Sequence, residues 1–193
     1  MRRMAAVALA ALTGLAITAV PASAGSGGDS VVDVAVAASG GGTPDNNTRD
    51  YDLLVQAVTA TELVPVLDDP AATFTVFAPN DRAFLRLVQD ITGTRPASEQ
   101  AALNAITSTF TGEQIKNVLL YHVVAGKKLS PRQVLKAKRL HMANGGIVKP
   151  RGVVLKDENR SYKDPKLILK QINIQASNGV IHTIDRVLVP RTP

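Results

Sequence analysis

Acid–base work near neutral pH falls first to histidine, and the sequence has three: His122, His141 and His182. His182 and Asp185 stand three apart on an expected strand, where side chains alternate between faces, so they point apart and make a poor acid–base pair. A zinc centre needs three or four ligands, whereas these histidines lack paired spacing and the chain has no cysteine to join them. The missing cysteine also removes disulfides and thiolate nucleophiles. No G-x-S-x-G turn exposes a serine. Gly40 to Gly42 run into Thr43-Pro44, where a phosphate-cradling loop would place a lysine at the start of a helix. These residues predict no enzyme, no metal centre and no cofactor.

Charge carries more information. From Gly25 to Ala125 the chain has five basic and twelve acidic residues, whereas Gly126 to Lys170 has thirteen basic and three acidic. Lys127, Lys128, Arg132, Lys136, Lys138 and Arg139 crowd one short stretch, and seven more cations follow it up to Lys170. On a shared face they would attract an acidic polysaccharide or another anionic cell-surface polymer through a long-range field. The plainer reading is a solvated surface that confers solubility. Nucleic acid is not an expected partner, because Tyr162 is the only aromatic side chain in the basic stretch available for base stacking.

The elements that must position these residues follow from periodicity. Apolar residues make up 45% of the chain but aromatics only 4%, so the interior is expected to be aliphatic. Asp50 is placed to cap a helix carrying Leu53, Leu54, Ala57 and Val58, and a short helix over Thr61 to Leu67 is expected to stop at Asp68-Asp69-Pro70. Thr73 to Ala78 reads as a strand. Asn80 or Asp81 then caps a helix with Phe84, Leu87, Val88 and Ile91 on one face, closed by Gly93. Helices are predicted from Ser98-Glu99 and from about Glu113 to Tyr121. Past Gly126 the pattern shifts to short β-branched runs at Ile147-Val148, Val153 to Leu155, Leu167 to Leu169, Ile172 to Ile174 and Val180 to Val189, with a short helix after Ser130-Pro131. Asn178-Gly179 is the signal for a hairpin turn before the last of these. Helices first and strands later predict an α+β fold.

Three stretches then resemble the fasciclin (FAS1) domain family, in its order and across about Asp50 to Pro190. They are Thr75 to Phe84 (TVFAPNDRAF), Leu120 to Val124 (LYHVV), and Asn178 to Pro190 (NGVIHTIDRVLVP). The resemblance implies a wedge of two β-sheets with a helical layer, in a secreted, bacterial-type member of a group of adhesion and matrix modules. It also singles out Tyr121 and His122, since the tyrosine–histidine motif is linked to adhesion in animal relatives. The residues themselves allow a plainer role for His122, a buried ring pairing with backbone to fix a helix end against the sheet.

Arg2-Arg3, the uncharged apolar run Ala5 to Val20 and the small residues Ala22-Ser23-Ala24 read as a signal peptide over residues 1–24, cleaved after Ala24. No later segment could span a bilayer, so no stable membrane insertion is expected once the signal is removed. Residues 25–49, rich in Gly, Ser, Asp and Asn, read as a flexible linker, within which Val31 to Ala38 could dock as a short helix or edge strand. Residues 50–191 form the predicted domain. The expectation is a secreted, extracellular or periplasmic, non-catalytic binding module for a cell-surface polymer or protein; the alternative is an envelope or matrix component that self-associates.

Overall fold

The computed structural model describes residues 28–192; the expected signal peptide lies outside the described residues. Description begins within the stretch read as linker, which is not a free coil from there onward. Helix α1 (Val31–Ala38) opens on Ser30, whose hydroxyl accepts from the Val32 and Asp33 amides while Asp33 reaches back to the Ser30 amide. This reciprocal cap closes the helix start. Val31 and Ala35 are buried against the domain, so the docking foreseen for this segment is realised as a helix. Composition concealed it, because the glycines flank α1 and leave its apolar face intact.

Helices α2 (Asp52–Ala60) and α3 (Val64–Leu67) lead into strand β1 (Phe74–Pro79). Asn80 caps α4 (Asp81–Thr92) through its Oδ1, and Gly93 ends it in the left-handed region. Helix α5 (Glu99–Thr109) starts at Ser98, and α6 (Gly112–Leu120) opens with a Thr111–Gln114 capping box. Strand β2 (Val123–Ala125), helix α7 (Pro131–Lys136), strands β3 (Leu140–His141), β4 (Ile147–Arg151) and β5 (Val154–Lys156), a 3-10 turn at Leu169–Gln171, and strands β6 (Ile174–Ala176) and β7 (Gly179–Ile184) complete the chain. The mixed α+β architecture agrees with the expectation.

The main sheet runs β2-β1-β7-β6, with β1 and β7 parallel at its centre; β3-β4-β5 form a second, antiparallel sheet. Because side chains alternate along β1, Phe74, Val76 and Ala78 enter one apolar cluster, shared with α1, α2 and α4 to α6, while Phe77 enters another with Tyr121, Val134, Val148, Leu155 and Ile184. Both faces of β1 and β7 are buried along their length. Two cores thus flank the main sheet: Phe77 and Tyr121 serve one, Phe84 the other.

Three local expectations need correction. Strand β7 ends at Ile184 rather than running to Val189, because the Leu188 and Val189 amides turn to His122 Nε2 and Asp157 Oδ2. Leu167 makes a single bridge to Ile184 and the chain then enters the 3-10 turn, so no strand forms over 167–169. At the last hairpin Ala176 pairs with Gly179, which makes Ser177-Asn178 the turn and Gly179 the first strand residue. A Cβ on Gly179 would stand 2.5 Å from Val31 Cγ1 and 2.8 Å from the Phe74 carbonyl oxygen. Its role is close approach to α1 and β1, not turn dihedrals.

Candidate functional site

Tyr121 and His122 end α6, and both are buried, at 0% and 2% exposure. The Tyr121 hydroxyl donates to the Ile147 carbonyl at 2.9 Å and accepts the Glu158 amide at 3.1 Å, tying the helix end to β4 and the loop after β5. His122 Nδ1 donates to the Val118 carbonyl at 2.7 Å, and its Nε2 accepts the Leu188 amide at 2.9 Å. Those partners fix a neutral ring with one tautomer, and burial lowers its pKa to about 4. The two side chains therefore fasten a helix end to the second sheet and to the segment that follows β7, and both are buried. It is the plainer role of His122 that the geometry matches.

His182 behaves alike on the central strand. Its Nε2 donates to the Leu129 carbonyl and its Nδ1 accepts the Asn173 amide, while desolvation lowers its pKa. Asp185 lies elsewhere, accepting from Arg86 and from the Lys166 amide. Neither buried histidine has a free lone pair for proton transfer.

The six cations of the crowded stretch are all exposed, spread over the segment after β2 (Lys127, Lys128), helix α7 (Arg132, Lys136) and the loop that follows (Lys138, Arg139). Arg132 and Lys136, four apart, share a side of α7. Lys128 Nζ donates to the Ala176 and Ser177 carbonyls, fastening its own segment to the β6–β7 turn. The second sheet adds cations that sequence reasoning had only counted. Lys149 and Arg151 alternate with the buried Val148 and Pro150 on β4, and Lys149 sits directly opposite Lys156 on β5. Like charges in register disfavour a ladder, and here Asp164 offsets Lys156 while Lys149 and Arg151 have no carboxylate partner among the described residues. Of the thirteen cations from Gly126 to Lys170 only Lys156 is in a salt bridge among the described residues, with Asp164 at 2.8 Å.

A second charged feature had no counterpart in the sequence reading. Asp52, Asp81 and Glu99 are the first residues of α2, α4 and α5, and those three helix starts converge. Asp50, expected to cap α2, does not; Asp81 does so from below, accepting the Leu53 amide at 2.8 Å and the Asp52 amide at 3.2 Å. Asn80 frees it for that task by capping α4 itself. Asp50 sits between, with Oδ2 held by the Asn47 side chain, and Glu99 Oε2 accepts the Asp45 amide. One carboxylate oxygen from each of Asp45, Asp50 and Asp52 lies within 4.8 Å of the others, and the same holds for Asp50, Asp81 and Glu99. Desolvation and the neighbouring carboxylates raise the pKa of Asp52 to about 6 and push up those of Asp81 and Glu99. Three separate helix-start signals were visible in the sequence, but nothing in it told that they meet.

Comparison with known proteins places these observations in a family. The fasciclin domain family matches residues 49–190. Two proteins of the cyanobacterium Synechocystis sp. are similar: the uncharacterized protein sll1735, 32% identical over 72% of this chain and 89% of its own length, and protein sll1483, 31% identical over 72% of this chain and 67% of its own. Among solved structures, a FAS1 domain pair from the insect cell adhesion molecule fasciclin I superposes with a TM-score of 0.57 over 83% of this chain and 51% of that one, at 14% identity. That likeness is one of fold, and this chain spans about half of the domain pair. By its three sequence boxes, its two-sheet architecture and its match over residues 49–190, the chain belongs to the fasciclin domain family.

Proposed function

We propose that this protein is an exported, non-catalytic binding module that recognises an anionic cell-surface or extracellular polymer through the basic surface built from residues 126–170. Fasciclin domains are commonly adhesion and binding modules, and the family is generally non-catalytic. The observation that carries the reading is the placement of Lys149 opposite Lys156, next to Arg151, on one outer sheet face. A surface selected only for solubility would intersperse charges of both signs. Here exposed cations accumulate on consecutive elements with one carboxylate partner among them. A polymer with repeated negative charge would relieve their repulsion and release counterions. Export is supported by the charged, apolar and small-residue succession over residues 1–24. No helix among the described residues is long and apolar enough to cross a membrane.

The test is chromatography on immobilised heparin or an anionic bacterial glycan at low salt, followed by a salt gradient. Retention that weakens as salt rises is expected. Charge reversal at Lys149 and Arg151, and separately at Lys127, Arg132 and Arg139, should shift elution to lower salt; Lys128 is spared because its ammonium also fastens the hairpin. Elution with the void volume at low salt would overturn the proposal. Sedimentation of the pure protein separates it from the alternative, since a self-associating envelope component forms oligomers without any polymer added.

A further inference from the structure

We propose that Asp45, Asp50, Asp52, Asp81 and Glu99 form a divalent-cation site whose ion is calcium. The inference is independent of the polymer-binding surface. Asp52 is 0% exposed and Glu99 1%, yet both Asp52 oxygens, Asp50 Oδ1 and Glu99 Oε1 have no hydrogen-bond partner. These four are the only buried side-chain polar atoms among the described residues left in that condition. Buried polar atoms are almost always paired, so four orphans in one place mark a missing ligand. That ligand is a cation. None of the three salt bridges among the described residues reaches the cluster, and every orphan is a carboxylate oxygen.

The three convergent helix starts offset part of the repulsion but supply no donor to these atoms. The amides of Asp52 and Leu53 on α2 go to Asp81, those of Asp81 and Arg82 on α4 to the Asp50 and Thr48 carbonyls, and those of Ala83 and Ala101 to the caps Asn80 and Ser98. The separations suit an ion. Oxygens on opposite sides of a calcium held at about 2.3–2.6 Å stand roughly 4.6–5.2 Å apart, and the two triads, joined at Asp50, each fall within 4.8 Å. Oxygen donors alone select a hard cation. A triad of carboxylates, in two overlapping sets that share Asp50, suits the flexible shell of calcium better than magnesium, which keeps waters and takes about one or two carboxylates. Asp45 is exposed, so the cluster reaches solvent on that side.

Protein stripped with chelator is titrated with calcium chloride by isothermal titration calorimetry at pH about 7. The expected result is about one calcium per chain and a raised melting temperature. Asp52→Asn and Glu99→Gln should each weaken calcium binding about 10–100-fold or more. Either variant serves if the other fails to fold. Absence of calcium heat and of any melting shift at roughly millimolar calcium would overturn the site. So would unchanged affinity in both variants, which would put the ion elsewhere, and tighter binding of magnesium would overturn the choice of ion.

Discussion

Burial of His122 can be read out as a pH dependence of stability. The folded ring is neutral down to about pH 4, whereas in the unfolded chain it titrates near 6.5. Below pH 6.5 the unfolded state therefore binds a proton that the folded state refuses, and stability falls as pH falls. The loss amounts to about 1.4 kcal/mol per pH unit and stops near pH 4, where both forms carry the proton. Over that window the contribution of this ring is about 3 kcal/mol.

Other groups titrate in the same range, and raised carboxylates such as Asp52 act in the opposite sense: the folded state holds their protons more tightly, so acidification favours it. The histidine contribution is isolated by difference. His122→Gln keeps an acceptor for the Leu188 amide and removes the titration, at an expected loss of about 1–3 kcal/mol at neutral pH from the abandoned Val118 carbonyl and imperfect packing. Urea unfolding of both proteins at steps between about pH 7 and about pH 4 should show the gap shrinking by about 3 kcal/mol, so that the variant matches or overtakes the parent in acid. A gap that stays constant would mean that His122 titrates as a solvated histidine. In that event the buried-fastener role fails and the Tyr121–His122 pair returns as an exposed adhesion motif.

Other substitutions probe the same framework. Gly179→Ala drives a methyl group into Val31 and the Phe74 carbonyl, and should lower stability by about 1–3 kcal/mol or dislodge α1, which proteolysis near residue 31 would detect. Asn178→Ala removes a side chain that accepts the Val31 amide and donates to the Leu67 and Asp69 carbonyls, with an expected loss of about 3 kcal/mol in urea unfolding. Tyr121→Phe strands the Glu158 amide and the Ile147 carbonyl, and should cost about 1–3 kcal/mol with little change of the circular dichroism spectrum.

What the sequence conveyed and what it withheld divide along physical lines. Local patterns were dependable: Asn80 and Ser98 cap the helices they were expected to cap, Gly93 ends α4, and the β-branched run before Pro79 is β1. Where a backbone group finds its partner far along the chain, local rules failed. Asp81 caps α2 from 28 residues away at Leu53, so the nearby Asp50 was credited with a role it does not have. His122 draws the Leu188 amide out of the strand that hydrophobic alternation had extended to Val189. Asn178-Gly179 pointed to the right hairpin but for the wrong reason, since the need for glycine comes from Val31, a residue in the segment taken for a linker. The acidic site lay beyond sequence reasoning for the same cause: its members span Asp45 to Glu99, and only the packing of three helix starts brings them together.

That packing also alters what the charge imbalance means. In the sequence, an acidic first half and a basic stretch after Gly126 form two opposed blocks. In the fold they are not equivalent, because Asp50, Asp52, Asp81 and Glu99 are buried while the thirteen cations of the basic stretch are at the surface. Each buried carboxyl that holds a proton, or shares a bound cation, contributes less negative charge to the surroundings than its formal count. The outward field of the folded region is therefore more positive than a formal count of its charges implies. A cation in the acidic cluster would act in the same direction as the exposed basic face, since it would neutralise buried charge of the opposite sign.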